Sequence, residues 1–236
     1  MNICIIPARG GSKRIPRKNI RNFFGKPMIA WSIIAAQSSD CFNRIIVSTD
    51  DLEIANVARQ WGAEIPFDRP EDLADDFVGT TPVIAHAVKW FQDLGQEIDY
   101  VCCLYATAPF VQVTDIKRGM DLLEQTAYDR FVFTATEYPS PIQRALRLDP
   151  SSGQTHMWQP HNFCKRSQDL EPAYHDAGQF YWGRAPAWAQ AKNLFEGSKA
   201  LILPRWRVQD IDTEEDWITA ELMLKALVDR ASSPNK

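Results

Sequence analysis

The chain has 236 residues, of which 45% are hydrophobic and 24% charged, and a formal net charge of -4. That length fits a single α/β domain over residues 1–236 with room for a small lobe, and the mild acidity argues against nucleic acid as the main partner. No apolar run reaches the length of a membrane span and no leader pattern opens the chain, so the expected setting is the cytoplasm, away from membranes.

In chain order, the apolar run Asn2–Ile6 predicts a buried strand. A loop of unusual charge follows it. Arg9, Lys13, Arg14, Arg17 and Lys18 are five of the 26 basic residues, and taking five positive charges from -4 would leave the rest at -9. Gly10 and Gly11 are expected to take positive φ and turn N–H groups towards an anion. A strand, a Gly-Gly turn and clustered cations together predict a polyphosphate pocket, although neither the Walker nor the dinucleotide fingerprint is present. The spacing next predicts a helix over Met28–Ser38, with Pro27 suited to its first turn. A strand at Arg44–Ser48 and a helix capped by Asp50 or Asp51 and running to Trp61 come after it. Thr80 or Thr81, before Pro82, opens a helix ending near Leu94 and Gly95. Strands at Tyr100–Tyr105 and Arg130–Thr136 flank a helix over Thr114–Gln125. Adjacent Cys102 and Cys103 lie in an apolar run where packing accounts for them.

The segment from Tyr138 to His175 breaks the rhythm with prolines, aromatics and polar residues. It is expected to be an inserted lobe with a hairpin around Asp149–Gly153, serving dimerisation or covering a substrate. Strands at Gly178–Trp182 and Ala200–Leu203 and a helix over Thr213–Asp229 complete the chain. Alternation of strands with helices predicts a doubly wound, mostly parallel sheet.

Asp210-Ile211-Asp212 is the second candidate site. In extended backbone its two carboxylates share a face. Paired hard oxygen ligands plus substrate phosphates suit Mg²⁺. Asp212 with Glu215 also reads as a capping box for the last helix, and spacing alone leaves both roles open. Gln179 and Tyr181 alternate on one strand and are expected to face a ligand together. The four histidines show no metal spacing.

The stretch Pro7–Asn19 resembles the signature loop of the sugar-acid cytidylyltransferases, enzymes that make CMP-activated sialic acid, Kdo and related nonulosonic acids. Ile45–Asp50, Ala106–Pro109 and Gln209–Thr213 resemble further family segments. Tyr105–Phe110 and His175–Trp182 are most similar to the members acting on pseudaminic acid. Sialic acid members typically read Gln-Pro-Thr-Ser-Pro where this chain has Tyr105 to Pro109, which points away from sialic acid.

The resemblance implies a Rossmann-type fold like that of nucleotide-diphospho-sugar transferases. It also implies CTP and a nine-carbon sugar acid as substrates, Mg²⁺ on Asp210 and Asp212, and a homodimer. Arg9 and Lys18 join the acidic pair as catalytic residues. Ala8, Gly10, Gly11, Ser12, Lys13, Asn19, Thr80 and Thr81 are the implied nucleotide site. Tyr105, Gln179 and Tyr181 are the implied sugar site, with Arg166 reaching across from a second subunit to the sugar carboxylate. No side chain stands out as a general base. Legionaminic acid, sialic acid and Kdo are the alternative sugars. A metal-dependent glycosyltransferase and a non-catalytic nucleotide-binding regulator are the alternatives from other classes.

Overall fold

The apolar run at the N-terminus becomes β1 (Asn2–Pro7), and Ile3, Cys4, Ile5 and Ile6 have no exposed surface. A strand so buried must have neighbours on both edges and helices on both faces, and it has both. The computed structural model describes residues 1–75, 77–127, 129–190 and 193–232. After the basic loop, a small ribbon of β2 (Asn22–Phe23) and β3 (Lys26–Pro27) leads into α1 (Met28–Ser39). β4 (Arg44–Ser48), α2 (Leu52–Gln60), α3 (Thr80–Asp93), β5 (Tyr100–Leu104), α4 (Val113–Glu124) and β6 (Phe131–Glu137) follow. The short pair β7 (Leu146–Leu148) and β8 (Thr155–Met157) precedes the long β9 (Tyr174–Arg184), α5 (Ala185–Ala189), β10 (Lys199–Ile202) and α6 (Glu214–Ser232). Among the described residues no helix is long and apolar enough to cross a membrane.

The main sheet has the order β10-β6-β9-β5-β1-β4. β1 runs parallel to β4 and β5, and β6 runs parallel to β10. Only β9 is reversed, antiparallel to β5 and β6. The chain enters β9 from the Tyr138–His175 excursion rather than through a helical crossover, so no right-handed βαβ unit forces it parallel. β9 also begins four residues before the predicted Gly178, because Tyr174 to Asp176 still pair with Glu137 to Ala135. A register irregularity separates the two stretches, with Gly178 at φ 60° beside it.

Alternate residues of β1 serve different cores. Cys4 and Ile6 pack with Ile29 and Ile33 of α1, Ile54 and Ala58 of α2, and Ile116 of α4. Ile3 and Ile5 pack with Ile84, Val88 and Phe91 of α3 and Trp188 of α5. The architecture is thus α/β and doubly wound. A third cluster matters most for the site. Ile15 of the basic loop is buried with Phe23, Phe110, Ile211 and Trp217 of α6. Apolar burial at this one place draws the C-terminal acidic segment onto the N-terminal cationic loop.

In the excursion, β7 and β8 pair antiparallel around a turn closed by Asp149, whose Oδ1 accepts from the N–H of Ser151 at 2.8 Å.

Candidate active site

The chain leaves β1 through buried Ala8, whose N–H donates to Ser48 O at 3.0 Å. The Gly10 N–H then donates to Asp50 Oδ1 at 3.1 Å. Neither Gly10 nor Gly11 has positive φ, contrary to expectation. Gly10 is needed for space instead, since an added Cβ would lie 2.7 Å from Asp51 Oδ2. The left-handed residue of this loop is Arg17, at φ 57°. Its guanidinium binds Asp51 at 2.6 Å and also Glu53, so one of the five cations serves the loop's own structure. That hydrogen bond holds the Asp51 carboxyl down to about 2, while Asp51 caps α2 by accepting from the N–H of Ile54 at 2.9 Å.

The remaining cations border a cavity of about 560 Å³ at the C-terminal end of β1, where an open α/β sheet usually receives its ligand. Arg9, Ser12, Lys13, Lys18, Asn19, Thr80, Tyr105 and Asp212 line it, as do Arg14 and Arg69. Ala8, Gly10, Gly11 and Thr81 are not on its wall. Arg9 donates to Asp75 O at 2.8 Å, and Ser12 Oγ to Ile15 O at 2.6 Å. Asn19 Nδ2 donates to Arg9 O at 3.0 Å. Thr80 Oγ1 lies 2.9 Å from the Tyr105 hydroxyl.

Sequence reasoning missed Arg69, which is only 6% exposed. Its Nε donates to Ser48 Oγ at 3.2 Å and its Nη2 to Ser48 O. Burial lowers its pKa to about 10, with the Arg9 charge adding to that and Asp50 opposing it. A single arginine between Asp68 and Pro70 carries no local pattern. It is placed by the segment running beside β4, where the Arg69 N–H donates to Thr49 O at 3.0 Å.

On the acidic side, Ile211 is fully buried between Asp210 and Asp212, as alternation predicts. Asp212 Oδ2 pairs with Arg14 Nη2 at 2.8 Å, and Lys18 Nζ lies 3.3 Å from Asp212 Oδ1 and 2.6 Å from Ile211 O. The cationic loop therefore meets Asp212 of the carboxylate pair. The expected capping box is displaced by one residue. Thr213 Oγ1 accepts from the N–H of Asp216 at 3.2 Å, and Asp216 Oδ2 accepts from the N–H of Thr213 at 2.8 Å. Because α6 starts at Glu214, the cap falls to Thr213, and the Asp212 carboxylate is left for other partners.

Asp212 also borders a second cavity of about 510 Å³, shared with Glu137, His175, Asp176, Arg205 and Asp210. Asp210 keeps exposed surface, yet desolvation, followed by repulsion from Asp212, raises its carboxyl above the usual carboxylate range. A divalent cation would relieve that repulsion. Among the described residues no group of three or more His, Cys, Asp or Glu side chains could hold a metal. A cation held by Asp210 and Asp212 would need its other oxygens from a ligand and water.

One expectation is corrected. Gln179 and Tyr181 do not reach either cavity wall, being 3% and 1% exposed. β9 is covered on both faces, so Gln179 Nε2 donates to Arg207 O at 2.7 Å while Tyr181 packs 5.2 Å from the Tyr105 ring. Arg166 is exposed in the excursion, paired with Asp169 at 2.8 Å, and lines neither cavity of its own chain.

A family model described as cytidylyltransferase matches residues 3–147. A pseudaminic acid cytidylyltransferase of Campylobacter jejuni is 46% identical over 225 residues, covering 95% of this chain and 96% of that protein. A CMP-N,N'-diacetyllegionaminic acid synthase of Legionella pneumophila is 34% identical, covering 94% of this chain and 96% of that protein. Among solved structures, a CMP:2-keto-3-deoxy-manno-octonic acid synthetase complexed with CTP superposes with a TM-score of 0.68 at 15% identity. It covers 95% of this chain and 98% of that one. At that identity the likeness is one of fold.

Proposed function

The chain belongs to the cytidylyltransferase family, and we propose that it transfers CMP from CTP to the anomeric hydroxyl of pseudaminic acid, releasing pyrophosphate. The observation that carries this reading is the meeting of Arg14 and Lys18 with Asp212 at the edge of one cavity. The anomeric oxygen attacks the α-phosphorus, the bond to the β-phosphate oxygen breaks, and the hydroxyl proton passes to solvent. Arg9, Lys13 and Lys18 hold the triphosphate and offset charge on the departing pyrophosphate. Arg14 and Arg69, on the same wall, extend that cationic surface. Asn19 has its Nδ2 engaged by Arg9 O, so its Oδ1 remains to accept from the cytosine amino group.

Asp210 and Asp212 would hold Mg²⁺ together with phosphate oxygens. Bound there, the ion would act as a Lewis acid on the α-phosphate. Asp212 gives up Arg14 and Lys18 as the triphosphate takes them. The second cavity receives the sugar, adjoining the nucleotide through Asp212. Its acidic lining suits an anionic sugar only when added positive charge is present. The proposed sources are the cation and Arg166 from a second copy in a homodimer. Ile142, Leu146, Leu148, Trp158 and Phe163, all exposed in the excursion, supply an apolar surface for that second copy.

The test is pyrophosphate release with CTP, Mg²⁺ and a panel of nonulosonic acids. Turnover with pseudaminic acid above the others supports the assignment. A preference for legionaminic acid, sialic acid or Kdo moves it to that sugar, and no release with any of them overturns it.

A further inference from the structure

Thr80, Tyr105, Tyr181 and Asp176 form a series of contacts from the wall of one cavity to the wall of the other. Thr80 Oγ1 and the Tyr105 hydroxyl, 2.9 Å apart, belong to the nucleotide cavity. The Tyr105 ring packs against Tyr181, whose phenol donates to Asp176 Oδ2, and Asp176 lines the second cavity. The other oxygen, Asp176 Oδ1, accepts from the N–H of Gly178 at 3.0 Å. The β9 irregularity makes this arrangement possible. Phe133 pairs with Tyr181 while Ala135 pairs with Asp176, so β9 spends extra residues between two closely spaced partners. The slack is held by Thr134 Oγ1, which accepts from the N–H of Gln179 at 3.3 Å.

On the cytidylyltransferase reading above, we propose that Asp176 recognises the sugar, accepting a hydrogen bond from its amide N–H or hydroxyl groups, with Tyr181 as the residue that positions it. The argument is one of lone pairs and charge. A phenol as buried as Tyr181 needs an acceptor, and Asp176 Oδ2 accepts from it. A carboxylate offers about four acceptor sites. Tyr181 and Gly178 use one each, so acceptor capacity remains on a residue that borders the cavity. Only a donor can satisfy that capacity. The carboxylate end of a sugar acid is repelled by Asp176, and a deoxy carbon offers it nothing. Asp176 therefore selects the acylamino and hydroxyl end of the substrate.

The experiment measures KM for pseudaminic acid and for CTP separately, with Mg²⁺ present, in wild type, Asp176→Asn, Tyr181→Phe and the double variant. Losing a hydrogen bond to a charged acceptor predicts a KM for the sugar acid raised about tenfold or more in Asp176→Asn. KM for CTP should stay within about twofold. Tyr181→Phe should raise the sugar KM less, by about threefold, and the double variant should be no worse than Asp176→Asn, because the two residues act as one unit. Thermal melting separates this from a loss of folding. A wild-type sugar KM in Asp176→Asn, or a parallel rise for CTP, would overturn the inference while leaving the activity itself established. A wild-type protein that releases no pyrophosphate would overturn the functional reading on which the inference rests.

Discussion

Gly10→Ala tests how tightly the cationic loop is built. The new methyl would sit 2.7 Å from Asp51 Oδ2 and 3.0 Å from Asp51 Cβ, closer than van der Waals contact allows. Either Asp51 rotates or the loop retreats. If Asp51 rotates, it loses its cap on Ile54, worth about 1 kcal/mol, and loosens the pair with Arg17. If the loop retreats, the strain resembles overpacking of a buried site, at about 1–3 kcal/mol. Both routes give a loss of about 1–3 kcal/mol, which for a chain of this length lowers Tm by roughly 2–12 °C. The cations also shift away from the cavity, so KM for CTP should rise. Gly11→Ala is the internal control. Nothing lies within 4 Å of a Cβ at Gly11, and its φ is not positive, so Tm should hold. Differential scanning fluorimetry and CTP kinetics on the two variants decide the matter. Equal losses in both would refute the steric argument and return the loop to a general need for glycine flexibility.

Two further outcomes follow from the same geometry. Asp51 titrates near 2 in the folded protein against 3.8 ordinarily, so its stabilising effect is complete above about pH 4 and fades as pH falls towards 2. Unfolding free energies from urea titrations across that range should fall more steeply for wild type than for Asp51→Asn, by at most about 2 kcal/mol and less after solvent screening. Thr213→Ala should cost about 1 kcal/mol through the α6 cap while retaining activity. Wild-type stability in Thr213→Ala would instead return the capping role to Asp212.

Much of the fold was legible because its signals are local. The Arg44–Ser48 strand and an α2 cap at Asp50 or Asp51 emerge from a few neighbouring residues, and the structure has the strand and caps the helix with Asp51. The lobe's Asp149 turn was equally local. What escaped depends on distant partners. The early start of β9 requires Ala135 to Glu137 beside it, and the burial of Gln179 and Tyr181 follows from β9 being central, which no alternation pattern reveals. The cap shifted from Asp212 to Thr213 because the helix boundary moved by one residue, the least certain feature of any sequence reading. In the site, the clustered loop cations and the Asp210–Asp212 pair stood out by composition. Arg69 and Asp176 did not, since each is defined by what folds around it: Ser48 for one, Tyr181 for the other.

The most direct measurement follows the α-phosphorus. With CTP radiolabelled at that position, a divalent cation and pseudaminic acid, label should pass into the sugar product while the released pyrophosphate stays unlabelled. Lys18→Met and Asp212→Asn, from opposite ends of the chain, should each abolish the transfer. Label reaching the sugar at the wild-type rate in either variant, or label in pyrophosphate, would contradict the shared-nucleotide account.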